Sequence, residues 1–533
     1  MIKSKALVGI ALVICMLASS VSCIREQGAS SGVITPSAMS SPTQTFLIQD
    51  YEYGIIDNSV IIIKYHGQSG QVVIPSSIDG KNVTSIGYAA FSKHVNLNSV
   101  TIPSGVTSIG NRAFASCASL SSVTMPNSLV NIGDEAFERC SSLPSIIIPN
   151  GVTSIGNRAF ANCVRLAGAT MPKSVISIGD EAFEGCSSLT SIALPNSLTR
   201  ISDRVFASCS NLSSITIPNG VISIGDEAFY NCFRLSNITM PNSVTSIGDR
   251  VFASCYGLSS VTISKSVISI GDYAFSNCES LGSITIPSGV TSIDASMFAG
   301  CASLASITVD PSNNHYKTEN GVLFSKNGQD LLRYPVGRPD TSYSIPSGVT
   351  SIGNGAFAGC ISLTSVTIPD GTTSIGDFAF IYCSSLASIT IPNGIMSIGH
   401  RAFGECISLN NIAIPSGVTS IGDWVFERCS SLTSVTLPSS VTSIGALAFW
   451  CCVNLTSITI PNNVTSIGLM AFGHCGSLTS INIPASVTRI GEMAFTDCTS
   501  ITSITVDPSN NYYELVNGEL RAKDGTIIWQ PVT

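Results

Sequence analysis

The chain has 533 residues, a net charge of -8 and only 11% charged residues, against about 25% in an average soluble domain. Its polar surface must therefore come from Ser, Thr, Asn and Gly, and the absence of a basic footprint argues against nucleic acid as a partner. After the first 23 residues no apolar run approaches the ~20 needed to cross a bilayer, so contact with a membrane is expected only at the N-terminus.

That end reads "MIKSKALVGIALVICMLASSVSC". Lys3 and Lys5 precede an apolar stretch from Ala6 to Ala18 and then small residues, the layout of a secretory signal peptide over 1–22. The closing "SSVSC" is similar to the lipobox of bacterial lipoproteins, with Ser20 where Leu is usual. Cys23 is expected to be the lipid attachment site; the alternative is ordinary cleavage that leaves its thiol free. Residues 23–45 then form a linker, flexible through the Ser, Pro and Gly of "QGASSGVITPSAMSSPTQ". The mature protein is thus expected at the bacterial cell surface or outer membrane.

Residues 46–77 carry strand patterns around an Asp57-Asn58 turn without the motif that follows, as befits an N-terminal cap. From there the sequence copies itself every 23 residues: "TIPSGVTSIGNRAFASCASLSSV" (101–123) becomes "TIPNGVISIGDEAFYNCFRLSNI" (216–238). Seventeen coils can be counted, ten in a first array (78–307) and seven in a second (344–504). A fixed period of this length signals a solenoid whose coils bury their apolar faces against one another. Within a coil, the alternation in "LSSVTM" suits a parallel strand, ended by Pro126. "VTSI" is a second extended segment, and Gly110 permits a turn after it. Phe114 and Cys117, three apart, suggest one helical turn. The fold class expected is a repeat solenoid of parallel strands, short helical turns and β-hairpin caps, with ~4.8 Å per coil and roughly 80 Å of stacked coils.

Sixteen of the 19 cysteines fall in one column, three residues after the coil Phe. One Cys per coil gives no metal cluster, and in-register side chains ~4.8 Å apart point in parallel, not toward a disulfide. The column is expected to be buried, packing as a small hydrophobe. Cys451, beside Cys452 and out of column, is expected to be exposed.

The motif "LxSITIPxxVTSIGxxAFxxC" resembles the BspA-type leucine-rich repeat proteins over nearly all of 46–530. The resemblance implies a leucine-rich-repeat solenoid on a cell surface and a part in adhesion to host proteins or other microbes, without naming a ligand.

Two segments interrupt or end the arrays. "VDPSNNHYKTENGVLFSKNGQDLLRYP" lies in an insertion over 308–343, with a hairpin turn at Asn327-Gly328. Its near duplicate forms a C-terminal hairpin cap over 505–533, with Asp524-Gly525. In the first array the second residue after the coil Gly alternates Arg112, Glu135, Arg158, Glu181, Arg204, Glu227, Arg250, a ladder of exposed pairs worth about 0–1 kcal/mol each.

Nothing in the chain suggests catalysis. There is no phosphate-binding Gly loop, nucleophile elbow or His pair on a helix, and His66, His94, His315, His400 and His474 sit at unrelated motif positions. No catalytic, cofactor or metal site is expected. The Ser/Thr strand face suits weak multivalent adhesion to a protein or glycan. A self-associating surface layer is the competing class, and ice binding through the hydroxyl grid a third. The residues singled out for partner binding are Trp424, Leu447, Met470 and Met493, which take the Arg/Glu column in the last four coils, with Trp450 close by. They form either an apolar docking stripe or a surface that the C-terminal hairpin, with Trp529, folds back to bury.

Overall fold

Successive coils approach most closely at a recurrent glycine. In the computed structural model, which describes residues 44–530, a Cβ built on Gly133 would lie 2.7 Å from the Asn111 amide nitrogen and 2.8 Å from the Gly110 carbonyl carbon. The same collision with preceding backbone recurs at Gly156, Gly179, Gly248 and Gly271. Gly110 is not among the residues with positive φ. At these positions glycine is required because two backbones touch, not because a turn needs left-handed freedom; Ser202 and Asp294 take the same column in two coils.

With that approach secured, successive coils pair in register. Ser85 and Ile86 oppose Ser108 and Ile109, which oppose Asn131 and Ile132. A second ladder joins Ser99–Thr101 to Ser122–Thr124. Both are parallel and advance by 23 residues, so the expected β-solenoid is the fold observed. Its interior is a set of one-residue columns. The Phe rings from Phe91 to Phe298 stack at 5.0 to 6.4 Å between centroids. Ile109, Ala113, Phe114, Cys117 and Leu120 are all buried in the representative coil, while Val123 is half-buried.

The expected helical turn is absent. Among the described residues the one helical element is a 3-10 turn, Ala295–Phe298. Elsewhere the segment after the glycine sends its N–H groups alternately outward and inward. Arg112, Phe114 and Ser116 donate to Asp134, Ala136 and Glu138 of the next coil (2.8, 2.8 and 2.7 Å). Ala113, Ala115 and Cys117 donate back to Gly110, Arg112 and Phe114 within the coil (3.2, 2.9 and 3.2 Å). This pattern places Arg112 and Ser116 at φ of 60° and 61°, a conformation costing an ordinary residue about 1–2 kcal/mol. A helix would point every N–H along its own axis and leave neighbouring coils unbonded. The 3-10 turn follows Asp294, which stands in the glycine column; Ser202 also replaces the glycine, yet its coil keeps the left-handed residues Arg204 and Ser208 and their bonds to the next coil.

The segments flanking the arrays are three-stranded meanders, not single hairpins. Thr45–Ile48, Tyr51–Ile56 and Ser59–Tyr65 pair antiparallel in sequence, and the third strand pairs parallel with the first coil. Tyr316–Glu319, Val322–Ser325 and Asp330–Arg333 repeat this between the arrays, the third strand starting the second array through Leu331 and Ile352. The turn missed in the sequence is Asn320-Gly321 (φ 50° and 79°). Tyr513–Val516, Glu519–Ala522 and Ile527–Trp529 form the last copy. Each of the later two meanders is locked by a buried Asn. Asn313 Nδ2 donates to the Pro287 and Val290 carbonyls (2.8 and 3.0 Å) while Oδ1 accepts from the His315 and Tyr316 amides; Asn510 repeats this on Pro484 and Val487. The signal peptide (1–22), Cys23 and linker residues 23–43 lie outside the described residues; Thr45, expected in the linker, begins the first strand.

Gly248→Ala should destabilise by about 1–3 kcal/mol or more, because its Cβ would meet Asp226 nitrogen at 2.8 Å and the Gly225 carbonyl carbon at 2.9 Å. Gly282→Ala, with nothing within 4 Å, should be neutral or slightly stabilising. Denaturant unfolding of the two variants would check the contrast.

Candidate functional site

All sixteen column cysteines are buried and unpaired with one another. Each thiol nevertheless has a partner that the sequence reading did not foresee. Cys140 Sγ donates to the Phe114 carbonyl at 3.2 Å, and Cys209 to that of Phe183 at 3.2 Å. The Phe114 carbonyl also accepts the Cys117 N–H, so the thiol of the next coil takes its second lone pair. A hydrophobe of the same size would leave that position empty, which explains a thiol there. Burial pushes Cys163 and Cys255 up to about 12. Cys451 is half-buried, not exposed; burial raises it, with Arg428 acting in the opposite sense.

The charge ladder is wider than one column. Arg112 meets Glu135 at 2.7 Å, but Arg158 reaches Glu138 (2.8 Å) and Glu184 (3.4 Å) as well as Glu181. Arg204 likewise bridges Glu184 and Glu227. Behind it runs a second ladder: Asn111 Oδ1 accepts the Asp134 N–H, Asp134 Oδ1 that of Asn157, and so on to Asp272.

In the second array both ladders give way. The last side-chain acceptor in that column is Asp423, bonded to the Ala446 N–H at 2.7 Å. Here the structure stacks the residues singled out from the sequence: Trp424 N–H donates to Ala446, Leu447 to Leu469 and Met470 to Glu492. Trp424, Leu447, Trp450 and Met470 are half-buried; Met493 is 57% exposed. Met493 lies nearest the C-terminal meander, so the meander does not fold over the row. Trp529 packs instead against the core.

The row is not purely apolar. Arg401 lies over the Trp424 ring at 5.5 Å and Arg428 over Trp450 at 5.3 Å. Arg401 also pairs with Glu427 at 2.5 Å, their side chains 9% and 4% exposed; Arg428 pairs with Glu405 at 2.9 Å. Trp450 sits over Gly473, whose added Cβ would meet the indole at 3.1 Å, and its edge meets His474 at 5.8 Å. Arg401 stands one coil before Trp424 in the row's own column, whereas Arg428 comes from another column that the spacing of the row does not include.

A second exposed row was missed. The residue before each two-residue strand of the first array alternates Thr107, Val130, Thr153, Ile176, Thr199, Ile222, Thr245, Ile268. Val130, Ile176, Ile222 and Ile268 are all exposed, repeating every two coils, about 9.6 Å. The same 46-residue period that sets the Arg/Glu alternation was the available signal. Nearby, a shallow cleft of about 290 Å³ opens where Ser191–Leu194 and Ser214–Thr216 part. No group of three or more metal-ligating side chains occurs among the described residues.

The BspA type leucine rich repeat region model matches residues 71–190, 199–320, 340–454 and 425–515. Among solved structures, a leucine-rich repeat protein from Eubacterium ventriosum is similar at 26% identity and a TM-score of 0.50, over 71% of this chain and 88% of that one. A leucine-rich repeat protein from Bacteroides ovatus is 26% identical over 87% and 99% of the two chains (TM-score 0.47). A leucine rich cell surface protein from Faecalibacterium prausnitzii is 28% identical over 89% and 97% (TM-score 0.42). No curated protein matches the chain in sequence.

Two outcomes test this chemistry. A thiol that stays protonated in the fold but ionises near pH 8.5–9 when unfolded stabilises the fold below that pH, and the contribution is lost as pH rises toward about 12. With a slope of about 1.4 kcal/mol per pH unit per thiol, stability should fall steeply above pH 9, and a chain with several column cysteines replaced by Ala should show a shallower decline in denaturant titrations. Arg401→Ala should cost about 3–5 kcal/mol by leaving Glu427 buried and unpaired. Pairing Arg401→Met with Glu427→Leu should recover most of the loss in thermal unfolding.

Proposed function

Because the chain belongs to the BspA-type leucine-rich repeat family, we propose that it is a non-catalytic adhesion scaffold, exported and held at the bacterial cell surface through lipid on Cys23. Export and anchoring rest on the Lys-flanked apolar N-terminus and its terminal "SSVSC". The observation that carries the binding reading is the stacked row Trp424, Leu447, Met470 and Met493, with Trp450 beside it. It presents tryptophan and methionine at a position that the first array fills with charge. Tryptophan and arginine are among the residues most enriched in binding hot spots, and here half-buried Trp424 and Trp450 each have a guanidinium over the ring. The partner is an extended protein or a glycan, met weakly at many points. The exposed Val/Ile row of the first array adds a second, repetitive contact surface.

Trp424→Ala combined with Met470→Ala should abolish adhesion of beads coated with the chain to a panel of immobilised matrix proteins and glycans, at unchanged melting temperature. Adhesion that survives the pair would remove the row from the proposal. Mass spectrometry of the mature N-terminus should find Cys23 acylated.

A further inference from the structure

The three meanders occupy equivalent places, and their cross-strand partners align them. Ile62 lies opposite Tyr53, Leu331 opposite Phe324 and Ile527 opposite Arg521. In the first two copies the next coil covers this position with a parallel strand: Ile62 pairs with Ile86 and Leu331 with Ile352, and both are 0% exposed. Ile527 is 48% exposed, and among the described residues no strand pairs with the outer side of Ile527–Trp529. The same module thus begins an array twice and, in its third copy, presents the starting edge uncovered.

The opposite end of the solenoid carries a second open edge. Thr45–Ile48 is the outermost strand of its sheet, and all four residues are exposed, Leu47 at 68%. Two antiparallel steps make this strand run the same way as Ser59–Tyr65, and therefore the same way as the coil strand that covers Ile62. A second copy stacked end to end in the same winding sense would bring Thr45–Ile48 alongside Ile527–Trp529 in parallel, the orientation seen at both internal junctions. Neither edge carries the charge or proline with which exposed edge strands are ordinarily protected.

We propose that copies of this chain associate head to tail, the terminal strand Ile527–Trp529 of one pairing in parallel with Thr45–Ile48 of the next. The two surfaces differ, so the contact is heterologous and propagates from copy to copy instead of closing as a two-fold dimer. The overlap is short, so pairing is weak in dilute solution and strengthens where chains are crowded on a surface. It requires no foreign ligand and stands independently of the adhesive row.

Sedimentation velocity of residues 24–533 should show an average mass that rises with concentration without a plateau at the dimer. Leu47→Lys and Ile527→Lys should each remain monomeric at unchanged melting temperature. An equimolar mixture of the two should form dimers and stop there, because it contains one intact edge of each kind. Leu47→Ser and Ile527→Ser serve the same comparison if a lysine disturbs folding. A monomeric parent, variants that associate like the parent, or a mixture that stays monomeric would overturn the proposal. So would association of residues 45–533 where 24–533 remains monomeric, since the leading segment of the same chain would then be the occupant.

Discussion

Everything in this molecule follows from how closely one coil approaches the next. Backbone hydrogen bonds across a parallel ladder fix the distance at ~4.8 Å, and at several positions of the glycine column, Gly133 and Gly248 among them, the chain comes closer than a Cβ allows. The following segment lies alongside its neighbour, and in the representative coil its N–H groups find carbonyls on the adjacent coil at 2.7–2.8 Å. The left-handed residues at Arg112 and Ser116 are strain accepted for those bonds. Only the segment after Asp294 forms a short 3-10 turn among the described residues, while the coil with Ser202 in the glycine column keeps the usual bonds.

The interior is organised by the same translation. Rings lie over rings, and each column thiol lies beneath the carbonyl of the aromatic residue one coil back, Phe in all but Cys360, which meets Tyr334. The cysteine is a packing residue with a directional bond, which serves a solenoid well. Each coil gains a contact only its neighbour can supply, so stability resides between repeats more than within them. At the junction of the arrays Arg333 performs a comparable task with charge. Its buried guanidinium donates to Phe298 of the first array and to Gly355 and Ala358 of the second. Tyr334 meanwhile stacks on Phe357 at 5.3 Å, as Tyr65 does on Phe91 at 5.0 Å.

On the outside, variation follows a 46-residue period in the first array and breaks from it in the second. Arg and Glu alternate over one column and Thr with Val or Ile over another. Neither alternation affects the core, so both survive as surface texture on an unchanged scaffold. The tryptophans of the second array depart from that texture within a few coils. They remain half-buried under arginine instead of forming a bare apolar strip, which leaves a surface of mixed aromatic and cationic character suited to recognition.

The 23-residue period, the inward columns of Ile, Phe, Leu and Cys, and the parallel pairing were all legible in the residues, because periodic burial writes itself directly into periodic composition. So was the stacking of Trp424, Leu447, Met470 and Met493, since register in a solenoid is arithmetic. The conformation after the glycine was not. Phe114 and Cys117 at a spacing of three satisfy a helix and the observed turn equally well, and only the hydrogen bonds to the next coil distinguish them. A trace did exist in the Asn, Gly and Ser that recur just before the cysteine, as at Asn162, Gly185 and Ser208. The thiol's acceptor, the arginine over each indole and the uncovered edge at Ile527 depend on which atoms of different coils meet in space. A one-dimensional pattern states that a side chain points inward; what it meets there is decided by the third dimension.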